Sequence, residues 1–101
     1  MAQRYSRSTN VGGYLPMHFN ASQAKTAIDG NSHGHVLGYV TAGTLGSGLV
    51  ITLYNGTTVI GVLTPTQAQT FLFDQVCDQG LSVQLAGSGF DVNLGYLPNS
   101  V

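Results

Sequence analysis

Charged side chains are nearly missing from this chain. After Lys25 it contains no lysine, no arginine and no glutamate, and the acidic residues there are Asp29, Asp74, Asp78 and Asp91. The whole chain is 7% charged, although its hydrophobic fraction of 43% is ordinary. A soluble domain usually covers about a quarter to a third of its surface with charged residues. We therefore expect the surface to be packed against other proteins.

The scarcity of basic residues argues against two further classes of partner. Arg4, Arg7 and Lys25 are the only cationic side chains, and they cannot form the basic face of a nucleic-acid-binding fold, which neutralises one phosphate per cation. No run approaches the roughly 18 apolar residues that span a bilayer. No apolar segment follows Arg4 and Arg7, as a secretory signal would require. We expect a protein made in the cytoplasm, with no nucleic-acid and no membrane partner.

Cysteine is also scarce, because Cys77 is the only one. A single cysteine excludes an intrachain disulfide and a cysteine-based zinc site. We expect Cys77 to be a small buried or half-buried residue. Its neighbours Asp74 and Asp78 should raise its pKa, which argues against a nucleophile.

Histidines supply the one candidate metal cluster. His33 and His35 are two residues apart and would point the same way on a strand, with His18 upstream. No acidic or cysteine ligand stands at a recognised spacing to complete a site. We predict polar turn or interface histidines, with no metal and no cofactor.

No arrangement of residues indicates an enzyme. Asp74 and Asp78 flank residues 74–80, which we expect to be a loop, since aspartate is a common turn former. Two catalytic carboxyls would have to face each other across a cleft, and so small a body has little room for one. There is no nucleophile elbow and no phosphate-binding loop.

The 101 residues allow one domain, which we divide at residue 35. Residues 1–35 show no period and are expected to be an N-terminal arm and irregular segment, with residues 1–13 polar and extended. Residues 21–28 could form two turns of helix with Asn20 or Ser22 as the cap, or an extended segment. The body is expected to comprise residues 36–101.

Strand alternation begins at Val36. The predicted strands are residues 36–42, 49–54, 57–63, 70–73, 81–85 and 90–96, with a turn over 43–48. Asn55-Gly56 is the strongest short signal for a hairpin. Six such strands indicate an all-β fold, a small antiparallel β-sandwich, and one more strand from the N-terminal third would make it jelly-roll-like.

Edge strands are a problem for such a fold, because lysines or prolines usually guard them and residues 36–101 contain no lysine. We expect the edges to be covered by the N-terminal segment or by neighbouring chains. Tyrosine favours interfaces, so Tyr39, Tyr54 and Tyr96 are candidates for self-association. An alternative is that Tyr39 and Tyr96 complete the core.

Five short segments of sequence, in this order, resemble a recurrent pattern in small β-sandwich modules of tailed-bacteriophage structural proteins. They are ITLYNGT (51–57) with VIG (59–61), FLF (71–73), GLSVQL (80–85) and VNLGY (92–96). The match covers about residues 36–97. Such modules occur in capsid decoration (cement) proteins, head fibres and tail or baseplate parts.

A single module with a polar arm looks most like a capsid decoration protein. The resemblance implies a non-enzymatic virion protein on the outer capsid surface that bridges capsomers, with the major capsid protein as partner and a homotrimer as its own state. The arm around Arg4, Tyr5, Arg7 and Tyr14 would dock onto the shell. A tail, baseplate or head-fibre subunit is the first alternative. A carbohydrate-binding module is the second, although the chain has no tryptophan for a sugar platform.

Overall fold

The strands form two four-stranded antiparallel sheets packed face to face, in a computed structural model that describes residues 14–28 and 34–98. The eight strands are β1 Leu15–Phe19, β2 Gln23–Ala27, β3 His35–Thr44, β4 Ser47–Asn55, β5 Thr58–Leu63, β6 Gln69–Cys77, β7 Leu81–Ser88 and β8 Asp91–Pro98. Their order is β1-β8-β3-β6 in the first sheet and β2-β7-β4-β5 in the second. The all-β sandwich expected from the alternating pattern is confirmed.

The strand pairs are nested along the chain. β1 pairs with β8, β2 with β7, β3 with β6 and β4 with β5, as in one long hairpin folded over on itself. β1 and β6 are therefore the edges of the first sheet, and β2 and β5 are the edges of the second. Short connections join β1 to β2 and β5 to β6, so each consecutive pair of edge strands lies on one side of the sandwich.

The N-terminal third contributes more structure than its sequence indicated. A helix over residues 21–28 is wrong: Gln23–Ala27 is β2, which pairs with β7, and the extended alternative is the correct one. Residues 15–19 form β1 in register with β8. Residues 15–27 are thus part of the sandwich that we expected to begin at Val36. The polar arm, residues 1–13, lies outside the described residues.

The core follows the predicted alternation. The inward side chains of β4, β7 and β8 are buried together with those of β3, and the sites between them face outward. The buried hydrophobic residues are Ile28, Leu37, Val40, Ala42, Leu49, Ile51, Leu53, Cys77, Leu81, Val83, Leu85, Phe90, Val92, Leu94 and Tyr96. Cys77 is fully buried, as expected for a small apolar side chain.

Two connections differ from their sequence-based boundaries. The turn predicted over residues 43–48 shrinks to Leu45 and Gly46, because β3 and β4 extend into it. Gly46 has φ +60°, and a Cβ there would lie 2.0 Å from the Ser88 carbonyl oxygen, so only glycine fits. The loop expected over 74–80 is also wrong in extent: β6 continues through Asp74 to Cys77, and the turn contains Asp78 and Gln79.

Candidate interaction surfaces

The β5–β6 side, formed by the edge strands Thr58–Leu63 and Gln69–Cys77, exposes most of the large apolar side chains on the surface. Within the described residues five large hydrophobic side chains are exposed, and four of them are Val59 (51%), Val62 (57%), Leu72 (84%) and Val76 (58%). All four belong to β5 or β6. Apolar side chains concentrated on edge strands mark this side as a candidate protein contact.

The opposite side, formed by β1 and β2, has the features that normally protect edge strands. Both strands are only five residues long, β1 contains Pro16 and β2 contains Lys25. Short length, proline and lysine each discourage further strand pairing. We call this side the N-terminal side. Its edge strands are better protected against further pairing than those of the β5–β6 side.

Asp74 is the one charged residue on β5 and β6. It lies at an irregularity in the pairing of β6 with β3, where β6 holds one extra residue, and its φ is +51°. A non-glycine residue at positive φ is uncommon and aspartate is among the types that tolerate it. The bulge and the carboxylate partly protect β6. β5 also holds one extra residue in its pairing with β4, Ile60, but it has neither a charge nor a proline.

Tyr14 fastens the start of β1 to Asp74 across the outer face of the first sheet. Its hydroxyl donates a hydrogen bond of 2.8 Å to Asp74 Oδ1, and its ring packs edge-on against Tyr39 with centroids 6.2 Å apart. The ring occupies the place where a side chain on Gly38 would be, since a Cβ there would approach it to 2.6 Å. The side chain proposed for the docking arm is therefore in contact with the protein's own sheet.

This contact changes the acidity of the phenol. The hydrogen bond to Asp74 raises the pKa of Tyr14, and partial burial and the negative charge of Asp74 raise it further. The neutral hydroxyl is the form that can donate to the carboxylate. Tyr14 is thus held as a donor in the ordinary pH range.

Tyr39 lies on the same outer face and not in the core. Its ring covers Gly95 of β8, where a Cβ would approach it to 2.1 Å. Beside it is a shallow depression lined by Tyr39, Thr41, Thr70 and Leu72, and the hydroxyls of Thr41 and Thr70 are 2.9 Å apart. The outer face next to β6 is therefore mostly aromatic, aliphatic and hydroxylic.

Tyr54 and Tyr96 have different surroundings from Tyr39. Tyr54 is half-buried on the outer face of the second sheet, donates 2.8 Å to Gln84 Oε1 and lies under the Lys25 ammonium, 4.6 Å from its ring centroid. Such an exposed cation–π contact contributes about 0.5–1 kcal/mol. Tyr96 is 9% exposed and belongs to the core. Of the three tyrosines considered for self-association, Tyr39 and Tyr54 are on the surface.

Asn55, Asp78 and Gln79 form a hydrogen-bonded cluster, which we call the clamp. The sequence did not indicate it. The Asn55 amide donates to Asp78 Oδ1 (3.1 Å), and its Oδ1 accepts from the Gln79 N–H (2.8 Å). The Gly56 N–H donates to the Gly80 carbonyl at 2.8 Å. Gly56 has the positive φ expected of a hairpin turn, +63°. These bonds tie the β4–β5 turn to the β6–β7 turn.

The described histidines are engaged in separate contacts. His18 Nε2 is 2.9 Å from Asp91 Oδ1, and both side chains are about half exposed. His35 is fully buried, and its Nδ1 accepts a 3.0 Å hydrogen bond from the Leu81 N–H. His33 lies outside the described residues. Among residues 14–28 and 34–98, no group of three or more histidine, cysteine or acidic side chains could hold a metal ion.

Cys77 behaves as its surroundings predict. Burial raises the pKa of the Cys77 thiol, and the negative charge of Asp78 raises it further, against a smaller opposing effect of a backbone hydrogen bond. A thiol with a raised pKa is a weak nucleophile at neutral pH. Its thiol is 3.9 Å from the Gln75 carbonyl oxygen, which accepts a weak bond.

The remaining residues of the expected docking arm, Arg4, Tyr5 and Arg7, lie outside the described residues. The described part of the chain carries one lysine, Lys25, against three aspartates. The two arginines of the chain therefore belong to a segment of opposite charge to the sandwich.

No protein-family model matches the chain, and no curated protein matches its sequence. Within the described residues, no helix is long and apolar enough to cross a membrane.

Proposed function

We propose that this chain is a non-enzymatic structural protein of a tailed-bacteriophage virion, a capsid decoration protein that binds the outer capsid surface. The observation that carries the proposal is the β5–β6 side, where four large apolar side chains are exposed on two strands that hold a single charge. A surface of that kind favours protein contacts over solvent. It supports the structural role that the sequence resemblance implies.

The strand connectivity gives further support. The orders β1-β8-β3-β6 and β2-β7-β4-β5 correspond to an eight-stranded jelly roll, an architecture used in viral capsid domains. Many unrelated functions share this fold, so the connectivity supports the proposal as an analogy. The resemblance also implies that the protein acts as a homotrimer bridging capsomers.

Residues 1–13 would form the docking arm, with Arg4, Tyr5 and Arg7 contacting the major capsid protein. Outer capsid surfaces are often acidic, which suits two arginines. Tyr14 would mark where the arm leaves the sandwich, because its side chain is fastened to Asp74 and Tyr39. Binding the assembled shell more tightly than its free subunits would stabilise the shell by mass action.

The test uses shells of the major capsid protein encoded in the same genome, assembled without this chain. The purified protein should sediment with the shells at a saturating ratio and raise their disassembly temperature. A variant comprising residues 14–101 should keep the circular-dichroism spectrum of the sandwich and lose shell binding. Arg4→Ala with Arg7→Ala should weaken binding, and Ser6→Ala with Ser8→Ala is the matched control. Full binding by the 14–101 variant would contradict the docking arm.

Two alternative functions can be tested in the same way. A tail, baseplate or head-fibre subunit would be found in purified particles at those positions by electron microscopy and would not bind empty shells. A carbohydrate-binding module is favoured only by the depression where Tyr39 lies beside the hydroxyls of Thr41 and Thr70. Binding of the wild-type chain to a sugar on a glycan array, and loss of that binding in Tyr39→Ala, would support that alternative.

A further inference from the structure

We propose that copies of this chain associate by pairing β5 of one copy with β6 of another, so that the two poorly protected edges cover each other. This inference concerns how copies meet, and it is independent of what the assembly binds. Among the described strands, β5 pairs only with β4 and β6 only with β3. Each therefore has one row of backbone amides and carbonyls free to pair with a further strand.

The composition of β5 makes an uncovered edge unfavourable. Its residues, TVIGVL, are β-branched or aliphatic apart from one glycine, with no charge and no proline. Such segments add readily to other strands. A chain with little net charge has weak repulsion between copies to prevent this, so an ordered partner for β5 is required.

Charge selects β6 as that partner. If β6 paired with a second β6 across a two-fold axis, the two Asp74 carboxylates would come close. Pairing β6 with the uncharged β5 places no like charges opposite each other. Pairing each β5 with a β6 also covers both edges in every copy, and among the described strands it leaves the protected β1 and β2 as the sheet edges.

The exposed side chains fit the same arrangement. When the outer faces of the joined sheets are continuous, Val59 and Val62 of one copy lie beside Leu72 and Val76 of the next. Contact would remove from water the four side chains that are more than half exposed. Residues 1–13 suit this place less well, since they are mostly Ser, Thr, Asn, Gln, Gly and Arg. We therefore assign the surface to a second copy.

The experiment is a charge exchange between the two edges, read as mass by light scattering. The wild-type chain should have a multiple of the monomer mass of 10.6 kDa. Val62→Glu on β5 and Leu72→Lys on β6 should each raise the dissociation constant by at least about tenfold. The double variant should recover most of the association, because glutamate of one copy then meets lysine of the next. Within one chain the two sites lie on the outer faces of different sheets.

Control variants test whether any change of mass is specific to the β5–β6 pairing. Both positions are exposed, so the variants should keep the circular-dichroism spectrum, and Ala24→Glu on β2 should leave the mass unchanged. A wild-type monomer at tens of micromolar would overturn the proposal. If Val62→Glu weakened association, Leu72→Lys did not, and the double variant failed to recover it, β5 would pair with a second β5 and the proposal would be wrong. If deleting residues 1–13 changed the mass, the arm would cover the edge, and the proposal would again be wrong.

Discussion

The two sides of the sandwich end in strands of different character, although each side has one edge from each sheet. On the N-terminal side, β1 and β2 are short and contain Pro16 and Lys25. On the β5–β6 side the strands are six and nine residues long and contain one charge, that of Asp74. The chain has a single lysine, and it lies on an edge strand.

The scarcity of charged residues therefore affects the β5–β6 side, because its strands lack the lysine and the proline that protect β1 and β2. Edge strands of a sandwich need protection from further pairing, and protection on one side only leaves the other side open to pairing with a further strand. The exposed apolar side chains follow the same division: Leu15 on β1 is 39% exposed, whereas the four on β5 and β6 exceed 50%.

The largest effect is expected in the core at β4, the strand next to β5. Leu53 is fully buried on β4, opposite Gly61 of β5 and Val83 of β7. Leu53→Ala removes buried methyl groups and leaves a cavity, so the free energy of unfolding should fall by about 2–5 kcal/mol. Urea unfolding followed by circular dichroism measures it. Leu72→Ala on the exposed face should change the monomer's stability by less than about 0.5 kcal/mol. Equal losses would contradict the assigned directions of these side chains.

A smaller loss is expected at the junction between β3 and the second sheet. His35, at the start of β3 opposite Cys77, accepts a hydrogen bond from the Leu81 N–H of β7. His35→Phe keeps a ring of similar shape and removes the acceptor, leaving a buried amide unpaired. We expect a loss of about 1–3 kcal/mol in the free energy of unfolding.

The other described histidine provides the control for this prediction. His18→Phe, on the exposed pair with Asp91, should cost no more than about 1 kcal/mol. A larger loss for His18→Phe than for His35→Phe would reverse the ranking of the two histidines.

The clamp on the β5–β6 side should contribute less again. Asn55→Ala removes both bonds to the β6–β7 turn, and we expect about 1 kcal/mol of destabilisation because the group is only partly buried. Hydrogen exchange of the Gly56 amide, which donates to Gly80, should become faster. Thr57→Ala in the same turn is the control and should leave that exchange rate unchanged.

Much of the fold follows from the sequence because the central strands place their large apolar side chains mainly on one face. Leu81, Val83 and Leu85 alternate with outward residues, so their period of two is visible. The edge strands were harder to predict. β2 is exposed at four of its five positions, so no alternation distinguishes it from a helix or loop.

The surfaces were less predictable than the core, because they depend on topology. Leu72 resembles a core residue in sequence, but it lies on the outer face of the edge strand β6 and is 84% exposed. Asp74 resembles a turn former and instead forms a bulge within β6. The contact of Tyr14 with Gly38 and Asp74 joins residues up to 60 positions apart, and no local pattern encodes such a pairing.

The smallest expected effect is at the contact that links the two sides, Tyr14 to Asp74. Tyr14→Phe removes one exposed hydrogen bond to a carboxylate, and at neutral pH we expect a loss of about 1 kcal/mol or less. The pKa of Tyr14 is raised in the folded protein, so its contribution to stability is present below the unfolded pKa, about 10. It is lost as the pH rises through the higher folded value. Above pH 10 the unfolding free energies of wild type and Tyr14→Phe should therefore converge, as measured by urea unfolding at each pH.

Tyr54→Phe, whose hydroxyl bonds to neutral Gln84, is the matched control. A constant difference between wild type and Tyr14→Phe across that range would mean that the hydroxyl does not bind Asp74 in solution.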